Sequence, residues 1–476
     1  MCKLNGINFG YADSEKELSE TPELFDSAFV DPKNHLDKLI NGIPFLVLGR
    51  KGSGKTAYGA KIRRLAMNSV DEMSNIVVRS SSLSDLNYST FEAFADQGVK
   101  GGRRFLSIWK YLLLLEMVKL IQDRYPNHEN NDLTTFTESL KKHGVLPNED
   151  LVYTARHLDK TNISLALSSI LNINKDVEKD YVLGDVDAIT EIGMKLLHDT
   201  YFSDTNFFII IDGLDDALRG DQFSSDIITG LIRAADNINL KIRHSVLNFK
   251  IIILLRTDIF ELCRDPDLTK IRRDLTVNLS WTKDDLKNIV IKRVQNKYPR
   301  YRSFQDFWKD FAPQKYKGAK SSSYLLDLTL IRPRDILQFF IECQELYGNQ
   351  DKINYSDLSS VISSYSKNYF ISEMKDELTG ILSDEIVTSI PSLLSELGQR
   401  TFFEQDLQQV LTGNNINISA RKLLEILFSS GYIGQVRMRD NGRQFVSFIH
   451  VNPFDKYSPK DKCIVHRGLV KALNIT

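Results

Sequence analysis

The sequence predicts an α/β protein with a mainly parallel five-stranded sheet, followed by a helical lid and a C-terminal winged helix. Two observations predict the sheet: a glycine-rich loop joins a short apolar run to an amphipathic helix, and further apolar runs alternate with helical segments. Beyond Trp281 this alternation stops and helical spacing takes over, which predicts that the remainder forms separate domains.

The glycine-rich loop has the spacing Gly-x-x-x-x-Gly-Lys-Thr between Gly49 and Thr56. Its glycines let backbone N–H groups surround phosphate oxygens, and the helix predicted over 55–67 points its positive dipole end at the same anion. Lys55 would contact the β- and γ-phosphates, and the Thr56 hydroxyl would ligate Mg²⁺. A chance glycine-rich turn is the alternative, but the flanking strand and helix favour a nucleoside triphosphate site. The predicted nucleotide-binding residues are Gly49, Arg50, Lys51, Gly52, Ser53, Gly54, Lys55, Thr56 and Ala57.

The composition is that of an ordinary soluble protein. Of its 476 residues, 42% are hydrophobic and 26% charged, and the formal net charge is −1, so bulk charge favours neither nucleic acid nor a membrane surface. The four cysteines are far apart and lack metal-ligand spacing, which fits a reducing compartment. The longest apolar run, near 111–121, contains Glu116 and Lys119 and is too short to cross a bilayer. We expect a cytoplasmic protein without a membrane span.

Apolar runs and turn signals divide the chain into four predicted segments. Residues 1–41 are predicted to form a lead-in segment. Its part from Tyr11 to about Asn41, acidic at first, is expected to be solvated and could also lie against the adenine. The α/β core is predicted over 42–282, with a mostly helical insertion at about 125–200. A helical lid over 283–380 and a winged helix over 384–476 follow. The strands predicted after the first are 75–80, 206–212, 250–256 and 275–281.

The winged helix is predicted from three helical patterns followed by two β-runs, which Arg439-Asp-Asn-Gly-Arg443 joins as a hairpin. Such a domain often places its third helix in a DNA groove. Here that helix carries only two basic residues, Arg421 and Lys422. From Asp384 onward 11 Lys and Arg stand against 9 Asp and Glu, a net charge of +2. A latch or partner surface is therefore favoured over DNA binding, which stays open.

Acidic residues follow the strand predicted at 206–212. The carboxylate of Asp212, at the strand tip, would face the Mg²⁺ held by Thr56. Asp215 or Asp216 would then act as general base on the attacking water, or would alternatively cap the next helix.

With these motifs the sequence resembles the AAA+/STAND group of P-loop ATPases. Residues 49–56 match the Walker A motif, and residues 207–216 match the STAND and NACHT form of Walker B. The resemblance implies an ASCE-type ATPase that uses ATP and Mg²⁺. Asp216 stands where glutamate is usual, which implies slow turnover or a switch. The predicted winged helix also resembles those of STAND proteins and origin-recognition ATPases.

The resemblance also suggests roles for arginines. Arg256 falls where STAND proteins carry a sensor, although it could instead pair with Asp258 or Glu261. The run Ile331-Arg-Pro-Arg-Asp335 falls where AAA+ proteins carry the second sensor.

In that run Arg334 is the candidate, with Arg332 as the alternative. Arg272 and Arg273 stand where AAA+ enzymes place an arginine that acts on a neighbouring subunit, and an ordinary solvated basic turn is the equal alternative.

The predicted function is an ATP-dependent molecular switch that couples nucleotide state to homo-oligomerisation or partner binding. The resemblance implies bacterial defence against phage, which proteins of this kind often serve. The sequence shows no nuclease, protease or TIR-like segment, so any effector is expected to be a separate protein, and a separate sensor protein is the other partner expected. The alternative is a DNA-binding initiator or loader ATPase, and a third possibility is that the nucleotide is only a structural ligand. The lack of a guanine-reading motif favours ATP over GTP.

Overall fold

The computed structural model describes residues 3–68, 75–86, 91–126, 130–173, 184–202, 205–214, 225–243, 245–439 and 441–475. These residues divide into two compact units. The α/β unit contains the described residues of 33–50 and 55–279. The helical unit contains 3–32, the four loop residues Lys51–Gly54, and the described residues of 280–475.

Helices make up most of the secondary structure in both units. In chain order they are α1 (Ser14–Glu20), α2 (Pro22–Ala28), α3 (His35–Ile40), α4 (Lys55–Asn68), α5 (Leu106–Arg124), α6 (Asn131–Lys142), α7 (Leu151–Arg156), α8 (Lys160–Ile173), α9 (Asp185–His198), α10 (Ser225–Ile242), α11 (Thr257–Leu262), α12 (Leu268–Asp274), α13 (Lys283–Lys297), α14 (Phe304–Phe311), α15 (Ser321–Leu326), α16 (Pro333–Tyr347), α17 (Tyr355–Ser364), α18 (Ile371–Leu378), α19 (Asp384–Glu396), α20 (Glu404–Gly413), α21 (Ala420–Ser430) and α22 (Arg467–Leu473). No helix of the described ranges is both long enough and apolar enough to cross a membrane.

The α/β unit is built on a five-stranded sheet in which every neighbouring pair is parallel. Its strand order is β2-β3-β4-β1-β5. The predicted α/β class with a five-stranded parallel sheet is therefore confirmed. The strands are β1 (Leu46–Gly49), β2 (Ile76–Ser82), β3 (Asn206–Asp212), β4 (Phe249–Arg256) and β5 (Thr276–Asn278).

The register of the sheet brings the carboxyl ends of three strands to one edge. Gly49 at the end of β1 is in register with Arg256 at the end of β4, and Ile211 of β3 pairs with Ile253 of β4. Because ligands of open parallel sheets bind outside the carboxyl ends of the strands, this edge positions the candidate site.

The core of the α/β unit explains why its strands and α5 are so apolar. Residues 207–211 of β3 are all buried, as expected for a strand covered on both faces. Helix α5 is buried around most of its circumference, and its Trp109 donates a hydrogen bond from Nε1 to the carbonyl of Ile227 at 2.9 Å. Trp109 is a core residue, as its helical spacing predicts.

The helical unit corrects the prediction made for the first 41 residues. Leu18, Leu24 and Phe25 are buried. The buried Glu17 accepts a hydrogen bond at 2.8 Å from the guanidinium of the buried Arg293. The expectation that residues 11–41 are solvated is therefore wrong for these residues, because the apolar side chains set among the acidic ones are enough to dock the segment.

One hydrophobic core also joins the helices predicted as the lid to those predicted as the winged helix. The C-terminal strands form an antiparallel sheet of order β10-β9-β11-β8, and the hairpin of β9 and β10 lies where the sequence predicts one. Helices α19 to α21 precede this hairpin in the predicted order, and the winged-helix assignment stays a prediction. The strands of the helical unit are β6 (Lys315–Tyr316), β7 (Ala319–Lys320), β8 (Thr401–Phe402), β9 (Ile433–Met438), β10 (Gln444–Ser447) and β11 (Lys462–Val465).

Candidate nucleotide site

The loop between β1 and α4 has the backbone of an anion cradle. Gly52 and Gly54 have φ angles of +75° and +89°, which glycine adopts without strain. In the part of the chain that the structure describes, the N–H groups of Gly52, Ser53 and Gly54 donate to no protein acceptor. The buried Ser53 Oγ likewise has no hydrogen-bond partner there. In the chain these unused donors directly precede the 14-residue helix α4, and backbone donors of this kind fit a bound phosphate group.

Lys55 and Thr56 begin α4 directly after this loop. The Lys55 side chain is buried, and its Nζ donates to the carbonyl oxygen of Arg50 at 3.4 Å. The Thr56 hydroxyl donates to Asp212 Oδ2 at 2.8 Å. The structure thus brings together the two residues predicted to hold Mg²⁺, although 156 residues separate them in the chain.

Asp212 is held in place by the backbone of Gly213 as well as by Thr56. Its Oδ1 accepts a hydrogen bond from the Gly213 N–H at 2.8 Å. Within the described ranges no cluster of three His, Cys, Asp or Glu could hold a metal ion. A hydroxyl and one carboxylate fit Mg²⁺, which keeps several waters and binds substrate phosphates. The fold is that of a P-loop NTPase.

Gly213 is required by the packing beyond the strand tip, which the sequence alone did not reveal. Its φ is +76°, and a Cβ at this position would overlap Ser82 Oγ and would lie 2.6 Å from Ser84 Oγ. The predicted general bases, Asp215 and Asp216, lie outside the described residues.

Arg256 takes the arrangement that the sequence left open as an alternative to a sensor. Its buried guanidinium donates to both carboxylate oxygens of Asp258, at 3.0 and 2.6 Å. The side chain nevertheless starts from the strand end that is in register with Gly49. Contact with the γ-phosphate stays a prediction.

Arg272 and Arg273 lie on helix α12, where the alternative prediction was a solvated turn. Arg272 donates to Glu261 at 3.3 Å, and Arg273 donates to Asp274 at 2.7 Å. Their side chains are 44% and 74% exposed, so both are accessible. A role on a neighbouring subunit stays a prediction.

In the helical unit, Arg332 is buried at the centre of a polar network. It donates to the carbonyl of the loop residue Lys51 at 3.0 Å and to Glu377 at 2.9 Å. It also contacts Asp335 at 3.3 Å and the hydroxyl of Tyr432 at 3.4 Å. Burial opposes the charge on Arg332, but Asp335 and Glu377 outweigh it and raise the pKa of the guanidinium well above its usual value.

Arg334 lies beside the same loop residues and shares a partner with Lys51. Both cations are 3.5 Å from Glu373 Oε1. A Cβ at Gly52 would lie 3.4 Å from the Cβ of Arg334 and 3.5 Å from the Cδ of Arg332. Both arginines predicted as sensor candidates therefore pack against Lys51–Gly54, and which of them senses nucleotide stays a prediction.

Trp281 is a loop contact that the sequence did not reveal. Its Nε1 donates to the carbonyl of Ser53 at 2.8 Å. The residue reads as the end of the predicted fifth strand, and nothing in its local pattern points to the loop.

Comparisons with known proteins match parts of this description. A family model described as the FunZ-associated C-terminal helical domain matches residues 284–372, within the region predicted as the lid. A protein of Escherichia coli (strain K12) designated transposon gamma-delta 80.3 kDa protein is 23% identical over 485 residues, which cover 95% of this chain and 65% of that protein. The chain therefore spans just under two thirds of the length of this relative.

Several solved structures are similar at low identity. The ORC2 protein of Aeropyrum pernix, in ADPNP–ADP complexes, is 12% identical with a TM-score of 0.41, and the match covers 95% of this chain and 92% of that one. A Walker-type ATPase of Pyrococcus abyssi is 14% identical with a TM-score of 0.37, covering 94% and 96%. The Aeropyrum pernix ORC1 protein in complex with DNA is 13% identical with a TM-score of 0.36, covering 90% and 88%. At these TM-scores the similarities carry no conclusion about function.

Proposed function

We propose that this protein is an ATP-hydrolysing molecular switch. The observation that carries the proposal is the 2.8 Å hydrogen bond between Thr56 and Asp212, beside a loop whose backbone donors have no protein acceptor in the described ranges. A hydroxyl and a carboxylate at that position suit a Mg²⁺ that accompanies a triphosphate.

Each residue of the site then has a defined task. The N–H groups between Gly49 and Ala57 surround the phosphates, and Lys55 adds a positive charge to them. Thr56 and Asp212 would hold Mg²⁺, which when bound would neutralise negative charge on the phosphates. Asp215 or Asp216 orients and deprotonates the attacking water.

Variants of the loop lysine and the strand-tip aspartate test this proposal. We expect Lys55→Ala to abolish ATP binding. We expect Asp212→Asn to keep binding but to lower turnover by about a hundredfold, because a metal ligand is lost. Asp123→Asn is the control, since this carboxylate is 68% exposed on helix α5. Turnover of Asp212→Asn equal to that of the wild type would contradict hydrolysis at this site, and unchanged ATP affinity of Lys55→Ala would contradict the nucleotide site itself.

The switch is proposed to act through the helical unit. Lys51 contacts Glu373 on α18, and Arg332 connects the Lys51 carbonyl to Glu377 and Tyr432. A nucleotide that changes the loop would change these contacts too, while Arg256 and Arg334 are proposed to respond to the γ-phosphate. The proposed result is altered homo-oligomerisation or altered binding of a separate effector or sensor protein.

Two finer parts of the proposal concern assembly and biology. In an oligomer, Arg272 or Arg273 would complete a neighbouring subunit's site, so replacing both with alanine is expected to abolish any rise of specific ATPase activity with protein concentration. An unchanged concentration dependence would contradict this role.

A function in bacterial anti-phage defence follows from the AAA+/STAND resemblance alone, and a plaque assay with Lys55→Ala as the inactive control tests it.

DNA binding by the C-terminal region is the second candidate function. Arg421 and Lys422 are exposed on α21, the third helix of the predicted winged helix. Against this, Arg437 of the hairpin pairs with Asp455 and Asp461, which reduces the free positive charge there. An initiator or loader predicts that the full chain binds DNA with an affinity that falls steeply with salt and is lowered by Arg421→Gln. Absence of DNA binding at low salt would exclude this candidate.

A further inference from the structure

A cleft lies in the helical unit, and none of the loop residues Lys51–Gly54 is among the residues that line it. It has a volume of about 220 Å³ and is bounded by the segment before α16 on one side and by the C-terminal sheet on the other. Its apolar walls include Leu326, Ile331, Val446, Phe448 and Ile464. The volume is below the roughly 300–1,000 Å³ typical of drug-sized ligand pockets, so an occupant would have about the size of one ring.

Positive charge in this cleft exceeds negative charge. Lys283, Arg400 and Arg467 line it, together with one carboxylate, Asp327. Asp327 accepts hydrogen bonds from both Lys283 and Arg467, the latter at 2.8 Å. The single acid is therefore already shared by two cations, and Arg400 is the third.

Arg400 has no ion pair within the described residues. Its Nε donates to the carbonyl of Val465 at 3.0 Å, and its terminal nitrogens donate to no acceptor in the part of the chain described. Burial, followed by the nearby charge of Arg467, lowers the pKa of this guanidinium. Two guanidinium groups held near each other in a half-buried cleft repel, and an anion between them would relieve that repulsion.

Two histidines also line the cleft, and neither balances the positive charge of its arginines and lysine. His466 is buried, and its Nδ1 accepts a hydrogen bond from the Gly468 N–H at 3.1 Å. Burial, with Arg400, Arg332 and Arg467 nearby, lowers the pKa of His466 to about 3, so the ring is neutral near pH 7. His450 is the second histidine that lines the cleft, where Asp327 is the single carboxylate.

We propose that this cleft binds a small organic anion, a carboxylate or phosphate group carried on an apolar body. The anionic group would lie against Arg400, because a planar guanidinium can donate two parallel hydrogen bonds to a carboxylate or phosphate. The apolar body would lie against Val446, Phe448 and Ile464. The cleft segment from Leu326 leads directly into Arg332, so an occupant would brace the segment that carries both sensor candidates.

Benzoate, phenyl phosphate and benzyl alcohol are suitable probes of the purified full-length protein by isothermal titration calorimetry. We expect one or both acids to bind with a Kd of about 1 mM or tighter and the neutral alcohol not to bind. The preferred acid identifies the ligand as carboxylate or phosphate. Lys55→Ala is expected to bind the acids unchanged, which separates this cleft from the nucleotide loop and from the outcome of the ATPase tests.

Two variants locate the binding. Arg400→Gln removes the charge and is expected to weaken binding at least about tenfold, while Arg400→Lys keeps part of it. Val446→Trp fills the cleft from a side chain that is 47% exposed, and it is expected to block binding without removing any charge. Arg421→Gln, an exposed arginine that does not line the cleft, is the matched control.

Several outcomes would overturn the proposal. They are no binding of either acid, equal binding of benzyl alcohol, or unchanged affinity in both folded variants, Arg400→Gln and Val446→Trp. A concentration-dependent dimer that Arg400→Gln abolishes would assign the cleft to an acidic side chain of a second copy, and would overturn it as well.

Discussion

Ser53, in the loop between β1 and α4, has side-chain surroundings that suit a bound ligand. Its hydroxyl is buried and has no hydrogen-bond partner in the described part of the chain, while its carbonyl is bound by Trp281. An unsatisfied buried polar group costs about 1–3 kcal/mol. A bound ligand that hydrogen-bonds the Ser53 hydroxyl would remove this cost.

Replacing Ser53 is expected to change two quantities in opposite directions: the stability without nucleotide and the stabilisation by ATP. We expect Ser53→Ala to raise the free energy of unfolding without nucleotide by about 1 kcal/mol, because the orphan hydroxyl is gone. The extra stabilisation that ATP confers should fall by a similar amount, because one contact to the phosphates is lost. Thermal unfolding with and without ATP measures both, and Ser392→Ala, on the exposed face of α19, is the control. An undiminished ATP effect would contradict a ligand at Ser53.

A comparison of Gly213 with Gly144 separates two costs of a glycine-to-alanine substitution, the strained backbone conformation and the steric overlap of the added methyl group. Both have positive φ, +76° and +68°, but a Cβ at Gly213 would overlap Ser82 and Ser84, whereas one at Gly144 meets nothing within 4 Å. We expect Gly144→Ala to lower the free energy of unfolding by about 1–2 kcal/mol, the cost of the backbone conformation alone. Gly213→Ala should cost more and should also lower ATPase activity, because Asp212 is displaced. Equal losses in urea unfolding, with full activity, would show that the strand tip tolerates the methyl group.

The elements that the sequence predicted well are those with a strong local pattern. The unbroken apolar run of β3 and the glycine spacing before α4 each act over fewer than about ten residues, so their physics is visible in the sequence. Strands β8 and β11 have only two and four residues, set among polar ones, and they form because α19 to α22 bring them together. No local period could reveal them.

The same contrast holds for the site. Thr56 and Asp212 were predictable because each ends or begins an element at one sheet edge. The contact of Lys51 with Glu373 joins residues more than 300 positions apart, and that of Trp281 with Ser53 joins residues more than 200 apart. Both depend on tertiary packing, which no periodicity encodes. The burial of Leu18, Leu24 and Phe25 was missed because the acidic residues around them suggested solvent.

The start of helix α22 makes the stability of the helical unit depend on pH. His466 caps this helix as a neutral ring, with a pKa of about 3 in the folded protein, mainly because it is buried. An unfolded chain would bind a proton near pH 6.5. The unfolded state thus holds more protons between these values, so the stabilisation is complete above about pH 6.5 and is lost as the pH falls, by about 1.4 kcal/mol per unit.

His466→Asn isolates this effect, because asparagine keeps an acceptor for the helix N-terminus but cannot titrate. We expect urea unfolding of the wild type to lose about 2 kcal/mol of His466-dependent stability between pH 7 and pH 5, and the variant to lack this part of the loss. His157→Asn, at an exposed position, is the control. Identical pH dependence of the wild type and His466→Asn would show that His466 does not carry the effect.

At the scale of the whole molecule, the question is how a loop of a few residues could act on distant elements. Within the helical unit the route is short. Lys51 reaches α18 through Glu373, and Arg332 joins the Lys51 carbonyl to Glu377 and, through Tyr432, to the start of β9. Removing one partner of a buried charge network costs about 3–5 kcal/mol, so Arg332 itself is a poor site for a gentle test.

Glu373 offers that test, because its carboxylate is shared by Lys51 and Arg334 at 3.5 Å each. If the proposed switch works through this contact, adding ATP should change the hydrogen exchange of residues 371–378 and 433–438 in the wild type. Glu373→Gln keeps a polar side chain but weakens both ion pairs, so it should still bind ATP while the change in exchange at 371–378 shrinks. Glu385→Gln, exposed on α19, should behave like the wild type. Lys51 and Arg334 both contact α18 through the carboxylate of Glu373. An exchange response in Glu373→Gln as large as in the wild type would therefore mean that nucleotide acts on the helical unit by some other route.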